Sequence, residues 1–236
     1  MELPVVKVTK DGQLLKPSVG LCPIRVTYSD NGKLAVTVTE PGDYRLERAD
    51  GKHTTLSVPE VLAPINLAGP WRLRFPSAFD AALKQLDLLQ LSSWSDSSDD
   101  VIRYFSGTAT YEIQINLPPK IFVAGRRLML DLGRVEVIAE VRVNGKDIGT
   151  LWKQPFAVDI TDAVTPGSNT IEIMVTNTWW NRLAGDESLP DDKRTTFTVW
   201  KPKSSRTPLM PSGLLGPVNI QSSMNQDIQL GTHPSI

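Results

Sequence analysis

The chain has 236 residues, 40% of them hydrophobic, and its 25 basic and 26 acidic residues leave a formal net charge of -1. That length builds a sizeable core, while the even balance supplies neither a basic footprint for nucleic acid nor a polybasic anchor for a membrane. Cys22 is the single cysteine and His53 and His233 the two histidines, which leaves no internal disulfide, no cysteine-based zinc site and no histidine in a triad or metal motif.

Taken in chain order, the dominant signal is period two. Leu34, Val36 and Val38 open it, between turns "DNGK" and "EPGD", and His53 in "GKHTTLSV" reads as a surface strand residue. "SVPEVLAPINLAGPW" carries Pro59, Pro64 and Pro70, which break any strand and mark a boundary. We therefore expect a small β-strand domain over 1–64 and a larger sandwich over 65–236. "FDAALKQLDLLQL" places Phe79, Leu83 and Leu86 on a helical face, but Gln90 spoils it. That segment stays open between a short helix and a strand entering "SSWSD". "DSSDD", Asp96 to Asp100, offers oxygens to a calcium but lacks the spacing and glycine of a defined loop, so a solvated loop is favoured. No cofactor is expected.

"YEIQINL" then sends Tyr111, Ile113, Ile115 and Leu117 to one face, and "RLMLDLG" does the same with Leu128, Leu130 and Leu132. Val137, Ala139, Val141 and Val143 follow, ending at the hairpin signal "VNGK". "DITDAV" predicts a single turn capped by Asp159 or Thr161. "TIEIMVTN" repeats the alternation with Ile171, Ile173 and Val175, and Leu214 to Ile220 closes the set. One buried and one wet face per strand, with glycine or asparagine turns between, predict an all-β antiparallel sandwich or jelly roll.

Six tryptophans stand out, several of them at strand ends or in loops: Trp94, Trp152, Trp179, Trp180 and Trp200. An indole face stacks on a sugar ring while its N–H reaches a hydroxyl, and the competing reading is a plug at the end of the sandwich. If the strand Thr170–Asn177 simply continues, Trp179 points inward and Trp180 outward. Asn181, Arg182, Asp186 and Glu187 are the polar candidates beside them. Glycoside hydrolysis needs two carboxylates about 5 to 10 Å apart across a cleft. Adjacent Asp186 and Glu187, or Asp191 and Asp192, diverge in an extended chain, so no catalytic residue is assigned.

In the order "GPWRLRF", "RYFSGTATYE", "LDLGRVEVIAEVRVNGKDIGTLWKQPFAVDIT", "PGSNTIEIMVTNTWWNRLAGDE" and "PLMPSGLLGPVNI", the chain closely resembles the C-terminal region of glycoside hydrolase family 106, the α-L-rhamnosidases. It is more loosely similar to the sugar-binding jelly-roll domain of family 2 glycosidases. The resemblance spans about Ala68 to Gln221, and "EPGDYRLERADGKHTTLSVPE" is similar to the preceding family 106 segment. It implies a galactose-binding-like β-sandwich whose catalytic barrel is absent from this chain, since no βαβ alternation occurs here. It also implies that Asn181 to Ser212, far longer than an ordinary connection, reaches toward a neighbouring active site.

Two functions stay open. One is a non-catalytic module binding plant cell-wall or rhamnose-bearing glycans through Trp94, Trp152, Trp180, Asn181, Arg182, Asp186, Glu187 and Trp200. The other is a structural domain that packs on the catalytic barrel of a parent hydrolase and completes its cleft. Catalysis within the chain is the weakest alternative. The expected partners are a carbohydrate and that barrel, without nucleic acid or membrane. The expected setting is secreted or periplasmic in a bacterium, although "MELPVVKVTK" lacks the basic and apolar regions of a signal peptide.

Overall fold

The computed structural model describes residues 5–16, 23–28, 34–76, 84–199 and 208–228. Phe79–Leu83, the "DNGK" turn, Cys22, Trp200 and His233 lie outside them. The fold is an all-β antiparallel sandwich, as the alternation predicts. Contacts divide it into two units: Met1–Ile65 with Pro118–Met129 and Ile220–Ile236, and Asn66–Leu117 with Leu130–Asn219. Two later segments thus return to the first unit, and a single cut in the sequence does not trace the division.

In the first unit, one sheet orders Gln13–Leu14, Val5–Lys10, Gly42–Arg48 and His53–Val58. A second sheet carries Arg126–Asp131, Asn219–Ile228, Leu34–Val38 and Ile24–Tyr28 side by side. Strict alternation in Leu34–Val38 puts Leu34, Val36 and Val38 into a core shared with Tyr44, Leu46, Leu56 and Val58. The Thr37 hydroxyl, on the opposite face, meets Asn225 Oδ1 at 2.7 Å. His53 is exposed on its strand.

The second unit centres on a six-stranded sheet ordered Lys146–Leu151, Ile138–Val143, Gly167–Thr176, Thr108–Leu117, Trp71–Phe75 and Lys84–Leu88. Tyr111, Ile171, Ile173, Val175, Ala139, Val141 and Val143 are fully buried on its inner face. Val137, expected with them, precedes the strand and is 38% exposed. The hairpin at "VNGK" holds Asn144 and Gly145 at φ 52° and 76°, the pairing of positive angles that lets two residues reverse an antiparallel strand. Asp159 caps the turn that follows, accepting from the Thr161 amide at 2.9 Å and its hydroxyl at 2.6 Å.

The outer face of this sheet carries a charge row. Asp87, Arg72, Glu112, Glu172, Arg142 and Asp147 stand opposite one another on successive strands. The adjacent Glu112 and Glu172 would repel, but Arg74 bridges both, at 3.0 and 3.5 Å, and Arg72 adds a contact to Glu112 at 3.1 Å.

One open alternative resolves and two expectations change. "KQLDL" is a strand, Lys84–Leu88, paired with Trp71–Phe75, because its leucines alternate across the sheet rather than recur at helical spacing. Leu214 to Ile220 is two strands, Gly213–Gly216 and Asn219–Ile228, since Pro217 cannot donate to a ladder. Within "DSSDD", Asp99 caps a short helix α1 (Asp100–Arg103) by accepting from the Val101 amide at 2.9 Å.

Candidate functional site

The strand Gly167–Thr176 does not continue into the tryptophans. Asn177 ends it: its side chain accepts from the Gly107 amide at 3.0 Å and donates to the Phe105 carbonyl at 2.8 Å. A second helix, α2 (Trp180–Glu187), follows at once. Its 100° step replaces the 180° step of the strand, so the parity assignment fails. Trp179 is 59% exposed, and Trp180 is half-buried with its indole N–H donating to the Pro208 carbonyl at 3.2 Å.

Helix α2 turns polar residues inward, buried together with Ala184 and Gly185. Asn181 is 2% exposed and reads the backbone of Met210 in both directions, donating at 2.7 Å and accepting at 2.8 Å. Gly185 sits against Tyr104 so closely that a Cβ would fall 2.6 Å from the ring. Asp186 is the hub. It accepts from the Thr195 and Thr196 amides at 3.1 and 2.7 Å and from both threonine hydroxyls, with Arg182 at 3.5 Å. Burial pushes the Asp186 carboxyl upward, but the Thr196 and Thr195 hydroxyls, the Thr196 amide and the Arg182 charge outweigh it and hold it below the usual carboxylate value. Arg194 completes the brace, donating through Nε to the carbonyls of Asp186 and Leu189 and pairing with Asp191.

This brace shapes an open cleft of about 470 Å³, lined by Leu183, Glu187, Arg194, Thr195 and Phe197 among others. Phe197 is fully exposed there. Glu187 is half-buried, and its Oε2 is shielded from solvent with no hydrogen-bond partner among the described residues. Asp186 is saturated by donors and holds structure; Glu187 is the carboxylate left with capacity.

The other candidates scatter. Trp94 is corrected from platform to core. It is 2% exposed, its indole N–H donates to the Tyr111 hydroxyl at 2.6 Å, and it packs edge-on with Phe75 and Phe105. The Tyr111 hydroxyl also accepts from the Leu214 amide at 3.1 Å, and desolvation pushes its pKa up to about 12. Gly213, at φ 98°, passes so near this pair that a Cβ would lie 2.6 Å from both polar atoms. Trp152 is 67% exposed beside the Lys153 ammonium, 5.4 Å from its ring centre, and is the most exposed aromatic among the described sequence candidates. Trp200 lies outside the described residues. The sequence reading missed Arg194, Thr195, Thr196 and Phe197. The alternation in "TTFTV" was the available signal.

An all-β sandwich with a long braced loop and no catalytic barrel defines the galactose-binding-like class of accessory domains found in glycoside hydrolases. The chain belongs to the glycosyl hydrolase 2 galactose-binding domain-like family, whose model matches residues 44–209. It is 41% identical over 203 residues to a protein of Formosa agariphila provisionally named a beta-glucuronidase, covering 76% of this chain and 17% of that protein. Among solved structures it is similar to a rhamnosidase from Novosphingobium sp. PP1Y, with a TM-score of 0.64 and 27% identity over 86% of this chain and 25% of that one. The chain therefore spans a quarter or less of the length of these relatives. No described helix is long and apolar enough to cross a membrane.

Proposed function

We propose that the chain is the non-catalytic β-sandwich of an α-L-rhamnosidase-like glycoside hydrolase acting outside the cytoplasm, secreted or periplasmic, and that it binds plant cell-wall or rhamnose-bearing glycans. The observation that carries this reading is the braced, solvent-open cleft beside α2, with exposed Phe197 at its wall. A pre-ordered loop with a free aromatic face and spare polar groups loses little entropy on meeting a sugar. The family 106 motif order and the likeness to the Novosphingobium rhamnosidase support the rhamnosidase parent.

Isothermal titration of the full chain against rhamnose-bearing and rhamnose-free plant polysaccharides tests the proposal, repeated with Phe197→Ala and Trp152→Ala. Binding confined to rhamnose-bearing polymers and lost in at least one variant is the expected result. Full-strength binding by both variants removes the aromatic platforms, and binding of none removes the function.

The second reading, a structural domain that completes the cleft of a catalytic barrel, has its own observation. Phe197 and Val199 are 100% and 97% exposed, alternating outward along one extended run. Two such residues suit burial under another domain. Phe197→Asp with Val199→Asp in the parent enzyme would then lower kcat without changing glycan retention by the isolated chain.

A further inference from the structure

The cleft beside α2 has an electrostatic character that the proposed function leaves open. Among the described residues that line it, the one basic side chain is Arg194. The Arg194 Nε is engaged by two backbone carbonyls, and its Nη1 faces Asp191. Each two-donor edge of the guanidinium thus has one nitrogen already engaged, which weakens a bidentate grip on a carboxylate. Asp186 is saturated by Thr195, Thr196 and Arg182. Glu187 remains, half-buried and without an ion-pair partner among the described residues; its Oε2 is shielded from solvent and closed to a ligand, which leaves Oε1 as the acceptor. An ionised carboxylate only accepts hydrogen bonds, so what suits it is a ligand that donates them. Sugar hydroxyls donate; a uronate carboxylate brings a second negative charge to the same wall. The Thr195 and Thr196 hydroxyls, whose protons go to Asp186, keep lone pairs that accept from sugar hydroxyls, and Phe197 offers a flat apolar face for the C–H side of a ring. The volume of about 470 Å³ lies within the range of small-molecule sites, roughly 300–1,000 Å³.

We infer that this cleft is a subsite for a neutral, hydroxyl-rich glycosyl unit, with Glu187 accepting from its hydroxyls and Phe197 stacked on its ring, and that it rejects uronate units. The inference rests on the proposed sugar-binding reading and makes it specific in charge.

The test is an amide-resolved NMR titration of the full chain with methyl rhamnoside and methyl glucoside as neutral probes, and methyl glucuronide and methyl galacturonide as charged ones. The expected result is shifts at Leu183, Glu187, Thr195 and Phe197 with a neutral glycoside, and at least about tenfold weaker binding of both uronides, as like-charge juxtaposition requires. Phe197→Ala, at a fully exposed position that leaves the fold intact, should weaken neutral binding at least about fivefold. Glu187→Gln should narrow the gap between neutral and charged probes, which a merely structural role would not do. Uronides binding as tightly as neutral glycosides overturn the inference and leave the sugar-binding reading standing. Shifts confined to Trp152 and Lys153 do the same. Absence of any response to all four probes overturns the cleft as a subsite, while the polysaccharide titration decides separately whether glycan binding itself survives.

Discussion

Thr196 presents both its amide and its hydroxyl to one oxygen of Asp186, at 2.7 and 2.6 Å, from ten residues further along the chain. That double contact closes the loop after α2 into a ring, and Thr195 repeats it at 3.1 Å. Asp186→Asn keeps the shape but replaces a charged acceptor by an amide that donates toward other donors. We expect a loss of about 2–3 kcal/mol in urea unfolding at neutral pH. The pH dependence follows from the lowered carboxyl pKa. The stabilisation is complete above the unfolded value, near 3.8, and is lost as pH falls below it toward the folded value. Wild type should therefore lose stability more steeply than Asp186→Asn as pH falls below about 4. Parallel slopes would show that the aspartate charge is not what holds the loop.

Tyr111 accepts from two buried donors, the Trp94 indole and the Leu214 amide. Tyr111→Phe strands both, and about 2 kcal/mol of stability should go with them. Its raised pKa, about 12 against an ordinary 10, has the opposite sense to that of Asp186. The unfolded chain ionises first, so stability intact below pH 10 declines as pH climbs toward 12. Spectrophotometric titration should show a late-ionising tyrosine component that is missing from the Tyr111→Phe variant.

Trp94 and Trp152 separate packing from exposure. Trp94→Ala opens a hole among Phe75, Phe105 and Tyr111 and should cost about 3–5 kcal/mol. Trp152→Ala, at 67% exposure, should stay within about 0.5 kcal/mol. Equal costs in thermal unfolding would mean that the burial pattern is wrong.

Glu112 sits 16% exposed between Arg72 and Arg74. Glu112→Gln should destabilise by about 0.5–1 kcal/mol at low salt, because the arginines themselves remain partly exposed and screened. Raising ionic strength should shrink the difference. A difference that persists at high salt would point to shape rather than charge.

The sandwich was legible because burial and alternation coincide. Leu34, Val36, Val38, Ile171, Ile173 and Val175 each fall where period two puts them. Helix α2 was not legible, since its inward face carries Asn181, Gly185 and Asp186, residues that a hydrophobic pattern reads as outward. The Asn181 and Asp186 side chains are held by hydrogen bonds to segments 9 to 29 residues away, which no local pattern records. Trp94 stayed open between platform and plug for a related reason. It lies in a serine-rich loop, and only its indole N–H, satisfied by Tyr111, makes burial there inexpensive. Of the cleft, Asp186 and Glu187 were foreseen as a polar pair, but not the division of labour between a brace and a free acceptor.

Leu34–Val38 takes its ladder partner from Asn219–Ile228, close to two hundred positions along the chain. A shortened clone beginning at residue 65 would keep Asn219–Ile228 and discard the strand that covers its edge. The exposed amides and carbonyls would be a template for intermolecular pairing, and such a product should precipitate or swap strands between copies. Anyone seeking the larger sandwich alone must therefore permute the chain or keep its amino-terminal strands.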